Sequence, residues 1–450
     1  MTHDMTKGRM LPILIKFTIP LVLGNLLQLT YNAADSIIVG RFVGASALAA
    51  VGTSNPLITL FILFEQGICL GTGVLIGMMF GAQQYDRLQR QVSTGMVSGI
   101  VFSAAMALLT MAAAPQLLQL LQVDSAILEE AVLYLRIVAF GLLFNFIYNY
   151  FAGTLRAMGD SKSPLLFLAL SAALNVAGDL FFVIVFHMGI VGCAVATVLS
   201  EGLSGVLCFI YIQRRIPLLQ LGRKWLYFDG SLLKLTLQYG FVSAMQQCAV
   251  QVGKLGIQGI VNTMGVASTA AFSAVNRVDD YAIVIEQNVA HAMTSVMAQN
   301  EGAGEHRRVY QAYRYGMAME LIYGVMVGFA FYFLAEPVML LFTQEAEVIA
   351  IGKTYLHLIA FMYILPGLTN GLQGYFRGIG DLKVTLISSM LNMTVRVAAA
   401  VPMVFVFHMG MEAIPWSYLL GWAAMIAFEL PFYRKWNREH LMKQCEQEQQ

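Results

Sequence analysis

Twelve long apolar segments, which together take up most of the 450 residues, limit this chain to a membrane-embedded fold. A helix needs about 20 apolar residues to cross a bilayer core of about 30 Å. The segments are too long for strands and lack the alternation of a β-barrel, so we expect an all-α integral membrane protein with twelve transmembrane helices. The segments cover residues 14–38, 48–79, 93–114, 131–154, 164–186, 190–212, 232–261, 269–299, 315–335, 351–375, 385–407 and 412–433.

The scarcity of charges and of catalytic motifs argues against other classes of protein. Only 12% of the residues are charged, against about 25% in an ordinary soluble domain. The net charge of +1 creates no field that would attract a nucleic acid. The five cysteines are scattered without a CxxC pair, so neither a disulfide framework nor a metal cluster is predicted. No ATP-binding loop and no hydrolase motif is present, so we expect a protein that is not an enzyme and that uses no cofactor.

The distribution of lysine and arginine predicts the orientation in the membrane. With twelve helices, the basic residues collect on one side, which includes both termini and segment 213–231. The opposite loops carry mainly acids, such as Asp124, Glu129 and Glu345. Because basic loops stay in the cytoplasm, both termini and segment 213–231 are expected to be cytoplasmic.

The chain repeats itself at an offset of 221 residues. Matching segments include Val185–Gly189 with Val406–Gly410, and an Arg-x-x-Gly-Asp pattern at 156–160 with another at 377–381. The predicted domains are therefore an N-terminal six-helix lobe at 1–212, a cytoplasmic linker at 213–231 and a C-terminal six-helix lobe at 232–450. Six helices is an even number, so the lobes form a parallel repeat, an arrangement that suits rocking around a central cavity.

Polar side chains interrupt the apolar segments at helical spacing. Gln28, Asn32 and Asp35 fall on one face of the first helix, and Asn175 and Asp179 share a face of the fifth. Thr197 supplies a hydroxyl from the sixth. A charged side chain at the membrane centre costs at least ~2.5–3.5 kcal/mol, so each of these acids is expected to have a structural or functional role. Carboxylate, amide and hydroxyl oxygens suit Na⁺, and two neighbouring carboxylates also favour a bound proton because like charges repel. Spacing alone does not choose between these ions, and hydrogen bonding between helices is the alternative.

The repeat assigns a cation site, if there is one, to the N-terminal half. At the 221-residue offset Asp35 corresponds to Gly256, Asn175 to Arg396 and Asp179 to Ala400, so the C-terminal half lacks these groups. Glu65 and Glu286 do correspond to each other. Each could face the cavity and attract a cationic substrate, act as a second protonation site, or pair with the neighbouring glutamine.

Three stretches resemble the MATE family, the multidrug and toxic compound extrusion transporters. They are LGNLLQLTYNAADSIIVGRFVGASALAAVG at 23–52, MAQNEGAGEHRR at 297–308 and the duplicated Arg-x-x-Gly-Asp turns. The resemblance covers essentially the whole chain. It implies a secondary antiporter of the plasma membrane, the inner membrane in bacteria, that exports organic, often cationic compounds in exchange for H⁺ or Na⁺.

The resemblance is strongest to the DinF-like branch. In that branch the ion site uses an acid on helix one, an Asn and an acid on helix five and a Thr on helix six, which correspond to Asp35, Asn175, Asp179 and Thr197. A helix-one proline implicated in bending corresponds to Pro20. The NorM-like branch relies on acids of helices seven and ten, where this chain has Gln246, Gln247 and Pro366.

A lipid-linked precursor flippase is the alternative function, since related families share the duplicated fold. It would require a strongly cationic central cavity, against which the acids at 35, 65, 179 and 286 argue. The expected partners are small organic substrates and the lipid bilayer. We expect a monomer without an obligate protein partner.

Overall fold

Long α-helices make up the computed structural model, which describes residues 3–220, 222 and 227–447. These residues contain no β-strand. Two helices continue into π-helical turns, α1 at Val39–Val43 and α5 at Phe181–Val185. The fourteen helices are α1 Met10–Ile38, α2 Ala45–Gly81, α3 Tyr85–Leu120, α4 Ser125–Ala157, α5 Lys162–Leu180, α6 Gly189–Arg215, α7 Gly230–Asn262, α8 Val266–Gly302, α9 His306–Phe333, α10 Ala335–Leu340, α11 Ala346–Met362, α12 Ile364–Gly378, α13 Leu382–Phe405 and α14 Ala413–Gln447.

The helices account for all twelve predicted segments. Within the described residues, nine helices are long and apolar enough to cross a membrane. The helices α11 and α12, which meet at a 50° bend, together form a tenth candidate span. The remaining two segments, 232–261 and 269–299, correspond to α7 and α8, which are equally long but less apolar, because α7 carries five glutamines and α8 carries four acids and an arginine. The prediction of an all-α membrane protein is confirmed, and the count of twelve spans is consistent with these elements.

The chain divides into two compact units. Unit 1 comprises Met1–Met5 and Ile19–Ala244, and unit 2 comprises Thr6–Thr18 and Met245–Gln450. The division within α1 falls between Thr18 and Ile19, one residue before Pro20. The lobe boundaries at 212 and 232 stay a prediction, and the linker predicted at 213–231 lies partly outside the described residues, at 221 and 223–226.

Glycines let two helices of unit 1 approach closely. Gly67 and Gly71 of α2 are one turn apart, and a Cβ on either would lie 2.3 Å from the backbone of α7, at Ala244 and Tyr239 respectively. Small residues at this spacing are typical of tight helix pairs in membranes, where dispersion contacts replace the hydrophobic effect as the source of association.

The helices repeat at the offset found in the sequence. The helix α2 spans residues 45–81 and α8 spans 266–302, while α4 spans 125–157 and the bent pair α11–α12 spans 346–378. Unusual backbone conformations repeat as well, since His187 has φ 53° and His408 has φ 52°. Each unit therefore builds its helices on the same plan.

Candidate functional site

The four residues predicted to bind a cation lie on three helices of unit 1. Asp35 is near the end of α1, Asn175 and Asp179 are one turn apart on α5, and Thr197 is on α6. The Asp35 and Asp179 carboxylates are close enough to interact electrostatically. Asn175 donates from Nδ2 to Thr197 Oγ1 at 3.3 Å. The structure thus brings together side chains that are up to 162 positions apart, from Asp35 to Thr197, in the sequence.

Close packing of α5 on α6 holds these groups in place. A Cβ on Gly178 would lie 3.1 Å from Cβ of Ala196, so the absence of a side chain there allows the two helices to approach. Thr197 follows Ala196 directly, and its hydroxyl donates to the Cys193 carbonyl at 3.0 Å. That bond turns the hydroxyl lone pairs towards the amide of Asn175.

With both acids ionised, several oxygen atoms at this position are buried and lack a hydrogen-bond donor. They are Asp35 Oδ1, Asn175 Oδ1 and both carboxylate oxygens of Asp179. Asn175 is 1% exposed and Asp179 is fully buried. Buried polar atoms are almost always paired, and an unpaired one costs about 1–3 kcal/mol. In the described residues no group of three His, Cys, Asp or Glu side chains is arranged to hold a metal ion, so a cation here would take mixed carboxylate, amide and hydroxyl oxygens.

A polar cavity adjoins the four residues and shares Asn175 and Thr197 with them. It lies among α4, α5, α6 and the part of α1 that belongs to unit 1. Asp35 and Asp179 are not among the residues that line it. The side chains that line it are Gln28, Tyr31, Asn145, Tyr148, Asn149, Leu168, Ser171, Ala172, Asn175, Thr197, Ser200, Glu201 and Ser204.

Glu201 gives this cavity a carboxylate that sequence reasoning did not assign to the site. Its Oε1 accepts a hydrogen bond from Asn145 Nδ2 at 2.7 Å. Asn149, one turn further along α4, donates to Asn145 Oδ1 at 2.8 Å. Asn145 and Asn149 are four residues apart inside an apolar segment, which is the spacing that singled out Asn175 and Asp179. The sequence therefore contained a signal for this part of the cavity.

The other predicted residues of α1 take different positions. Gln28 lines the polar cavity. Asn32 is exposed and is not among the lining residues. Pro20 is buried inside α1, which stays helical through it. One face of α1 therefore carries both a cavity residue and a residue away from the cavity.

Glu65 lies on α2 in unit 1 and is 2% exposed. Its Oε1 accepts a short hydrogen bond from the Ser103 hydroxyl of α3. Its Oε2 is buried without a partner. A serine on the next helix, rather than the neighbouring Gln66, is the partner that the structure gives it.

Glu286 lies on α8 in unit 2 and belongs to a larger group of buried charges. It is fully buried and accepts from Asn370 Nδ2 at 3.3 Å. The carboxylate of Glu320 on α9 is its electrostatic neighbour, and both oxygens of Glu320 are buried without a partner. Arg377 lies near Glu320 and Glu429. Sequence reasoning did not single out Glu320, although it is an acid in the apolar segment 315–335 and the cost of a membrane charge applies to it too.

Comparison of this chain with known proteins points to one family. The model of the MatE family matches residues 20–181 and 243–401. The chain is 28% identical over 395 residues to the probable multidrug resistance protein YpnP of Bacillus subtilis, covering 87% of each chain. It is 25% identical over 431 residues to the probable multidrug resistance protein NorM of Thermotoga maritima, covering 92% of this chain and 88% of that one. The solved structure of a MATE protein in the bent conformation matches with a TM-score of 0.91 at 22% identity, covering 99% of this chain and 98% of that one.

Proposed function

Because the chain belongs to the MatE family of multi-pass membrane transporters, we propose that it is a secondary antiporter that exports organic, often cationic compounds in exchange for H⁺ or Na⁺. Its curated relatives are named as multidrug resistance proteins. The observation that carries the proposal is the set of buried, unpartnered oxygens of Asp35, Asn175 and Asp179.

These oxygens support a site that a small cation enters and leaves. An ionised carboxylate that stays buried without a partner is destabilising. Protonation neutralises one of the two neighbouring acids, and a bound Na⁺ neutralises the pair through the same oxygens. Either ion relieves the repulsion between Asp35 and Asp179, so the occupied site favours helices packed tightly around it.

The polar cavity offers groups that would bind an organic cation beside the ion site once the helices around it separate, since in this conformation it has room for little more than one water molecule. Glu201 offers a negative charge there, and Tyr31 and Tyr148 offer aromatic faces. A carboxylate with aromatic neighbours suits a large cation of low charge density. Asn175 and Thr197 belong to both the cavity and the ion site, so the occupant of one changes the position of groups in the other.

Antiport follows if the two ligands prefer different conformations. A ligand shifts a conformational equilibrium only by its difference in affinity for the two states. The cation would stabilise the conformation in which α1 and α5 approach, and the drug would stabilise the other. Pro20 leaves a backbone carbonyl of α1 without its helical donor, which allows α1 to bend between the two states.

The proposal also covers the membrane, the orientation and the oligomeric state. The protein would act in the bacterial inner membrane with both termini in the cytoplasm. It would work as a monomer and use no cofactor besides the coupling ion. Membership of the DinF-like branch, with its ion site in the N-terminal lobe, is part of the same proposal.

Transport by the purified protein in liposomes tests the proposal. A pH gradient and a Na⁺ gradient are imposed separately, and ethidium movement is recorded for the wild type, Asp35→Asn and Asp179→Asn. Asp86→Asn, at an exposed position on α3, is the matched control. We expect one gradient to drive ethidium in the wild type and the control, and each site variant to transport at least about tenfold more slowly, which corresponds to ~1.4 kcal/mol of activation free energy.

Two results would contradict the proposal. Undiminished ion-driven transport in both site variants would remove Asp35 and Asp179 from the mechanism. Translocation of a lipid-linked precursor, with no gradient-driven movement of ethidium, would favour the flippase function instead.

A further inference from the structure

The C-terminal unit buries a guanidinium group at the position that corresponds to the cation site of the N-terminal unit. Arg396 on α13 is 8% exposed. At the 221-residue offset, Arg396 corresponds to Asn175. We propose that Arg396 is a tethered cation, which permanently fills the C-terminal counterpart of the N-terminal cation site.

The guanidinium lies against two aromatic rings, here called the aromatic box, which also contact each other edge to face with their centroids 5.8 Å apart. Its Cζ lies 4.3 Å from the ring centroid of Tyr418 and 4.7 Å from that of Trp422, both on α14. The planar guanidinium is the protein cation best suited to stacking on aromatic faces, whose electrons attract it. Tyr418 and Trp422 correspond at the same offset to Thr197 and Glu201, which line the polar cavity of the N-terminal unit. The oxygens of one unit are thus replaced by an aromatic box in the other.

Further contacts adapt the surroundings to an arginine. Arg396 Nε donates to Asn392 Oδ1 at 2.8 Å. A Cβ on Gly421 would lie 2.5 Å from Arg396 Cγ, so the glycine leaves room for the arginine stem. Asp279 of α8 is an electrostatic neighbour of the guanidinium and accepts a hydrogen bond from Tyr363 Oη at 2.9 Å. A buried arginine without such partners would be destabilising.

A covalently attached cation cannot leave. The C-terminal unit would therefore keep one packing of α13 against α14, while the N-terminal unit exchanges its ion. The comparison with an ion site rests on the proposed function. The binding of a guanidinium by the aromatic box does not rest on the proposed function, and it is tested separately.

Chemical rescue tests the box directly. Arg396→Ala removes the atoms that ethylguanidinium would supply, so the added molecule fits the space that the side chain leaves. We expect the melting temperature of the purified variant in detergent to fall below that of the wild type. Millimolar ethylguanidinium should raise it again in a saturable way, because a ligand that binds only the folded state stabilises it. The uncharged analogue N-ethylurea should have no such effect, and the wild type should respond to neither.

Variants of the box show whether the rings hold the cation. In the Arg396→Ala background, Trp422→Leu should abolish the rescue, whereas Trp422→Phe should retain part of it. If Arg396→Ala does not fold, Trp422→Leu and Trp422→Phe are made in the wild-type protein instead. The melting temperature of Trp422→Leu should then be lower than that of Trp422→Phe. Equal rescue by N-ethylurea, no rescue by ethylguanidinium, or equal melting of the two ring variants would overturn the proposal.

Transport separates this inference from the proposed function. Efflux by Arg396→Ala should be impaired and should recover with ethylguanidinium. If the wild type moves no drug under either gradient while the thermal rescue holds, the antiport proposal fails and the tethered cation stands.

Discussion

Asn175, like Thr197, belongs both to the proposed cation site and to the polar cavity. Its amide nitrogen donates to Thr197 while its Oδ1 remains buried without a partner. The fixed nitrogen orients the free oxygen, which is what a ligand atom for a hard cation requires. Thr197 is therefore a positioning group as well as a possible oxygen donor.

We predict that Thr197→Val weakens ion coupling although it preserves the shape of the side chain. The substitution leaves the Asn175 amide nitrogen buried without an acceptor, at a cost of about 1–3 kcal/mol. The ion concentration that gives half-maximal transport in proteoliposomes should rise, by up to about tenfold for each 1.4 kcal/mol. Thr197→Ser keeps the hydroxyl and should behave as the wild type. Equal ion dependence in the two variants would contradict the role assigned to the hydroxyl.

At the scale of secondary structure elements, the N-terminus of α5 positions the site. Asp160 accepts hydrogen bonds from the backbone N–H of Lys162 at 3.2 Å and of Ser163 at 3.0 Å, and Tyr211 of α6 donates to its other oxygen at 3.1 Å. The carboxylate thus caps α5 and links it to α6. Both helices carry residues of the proposed cation site.

Burial alone would raise the pKa of Asp160, but hydrogen bonds from the backbone and hydroxyl of Ser163 hold that pKa below its ordinary value. A carboxylate of this kind stabilises the fold above the pKa of the unfolded state, about 3.9. That contribution is lost as the pH falls through the lower pKa of the folded state.

We therefore predict that Asp160→Asn lowers the free energy of unfolding by about 1 kcal/mol near neutral pH. The asparagine oxygen still accepts from the backbone N–H groups, but its NH₂ group cannot accept the hydrogen bonds that the Ser163 and Tyr211 hydroxyls donate to the carboxylate. The difference from the wild type should shrink below about pH 4, as measured by unfolding in detergent across that range. Asp381→Asn, at the matching turn of unit 2, should cost less because Asp381 accepts a bond from the Val384 N–H at 3.5 Å. If the free energy of unfolding of Asp160→Asn differed from that of the wild type by the same amount at every pH, the charge of Asp160 would be ruled out as the cause.

At the scale of the whole molecule, the orientation in the membrane rests on the distribution of basic residues. The cysteines offer a natural probe of it. Cys69, Cys193 and Cys208 are buried and Cys248 is half-buried. Cys445 lies near the C-terminus, which is expected to be cytoplasmic.

We predict that a membrane-impermeant maleimide labels Cys445 in inside-out vesicles and not in right-side-out vesicles. The Cys445→Ser variant controls for any reaction at Cys248. Labelling of Cys445 only from the outside would reverse the predicted topology, and with it the direction of export.

The helices and their repeat could be predicted from the sequence because they depend on local properties. Hydropathy over about 20 residues identifies a span, and a constant offset of 221 residues reveals the duplication whatever the packing is. Helical periodicity also groups Asn175 with Asp179, since residues four apart share a face. The same logic, applied to Asn145 and Asn149, would have extended the list of candidate residues.

Only the tertiary structure decided which of these groups meet. Asp35 approaches Asp179, Glu201 meets Asn145, and Arg396 lies against the rings of Tyr418 and Trp422, each through contacts between different helices. Such contacts depend on helix rotation and on the close approach that residues such as Gly178 and Gly421 permit. A single sequence specifies which face of a helix is polar, but the distance between two polar faces is set by how the helices pack.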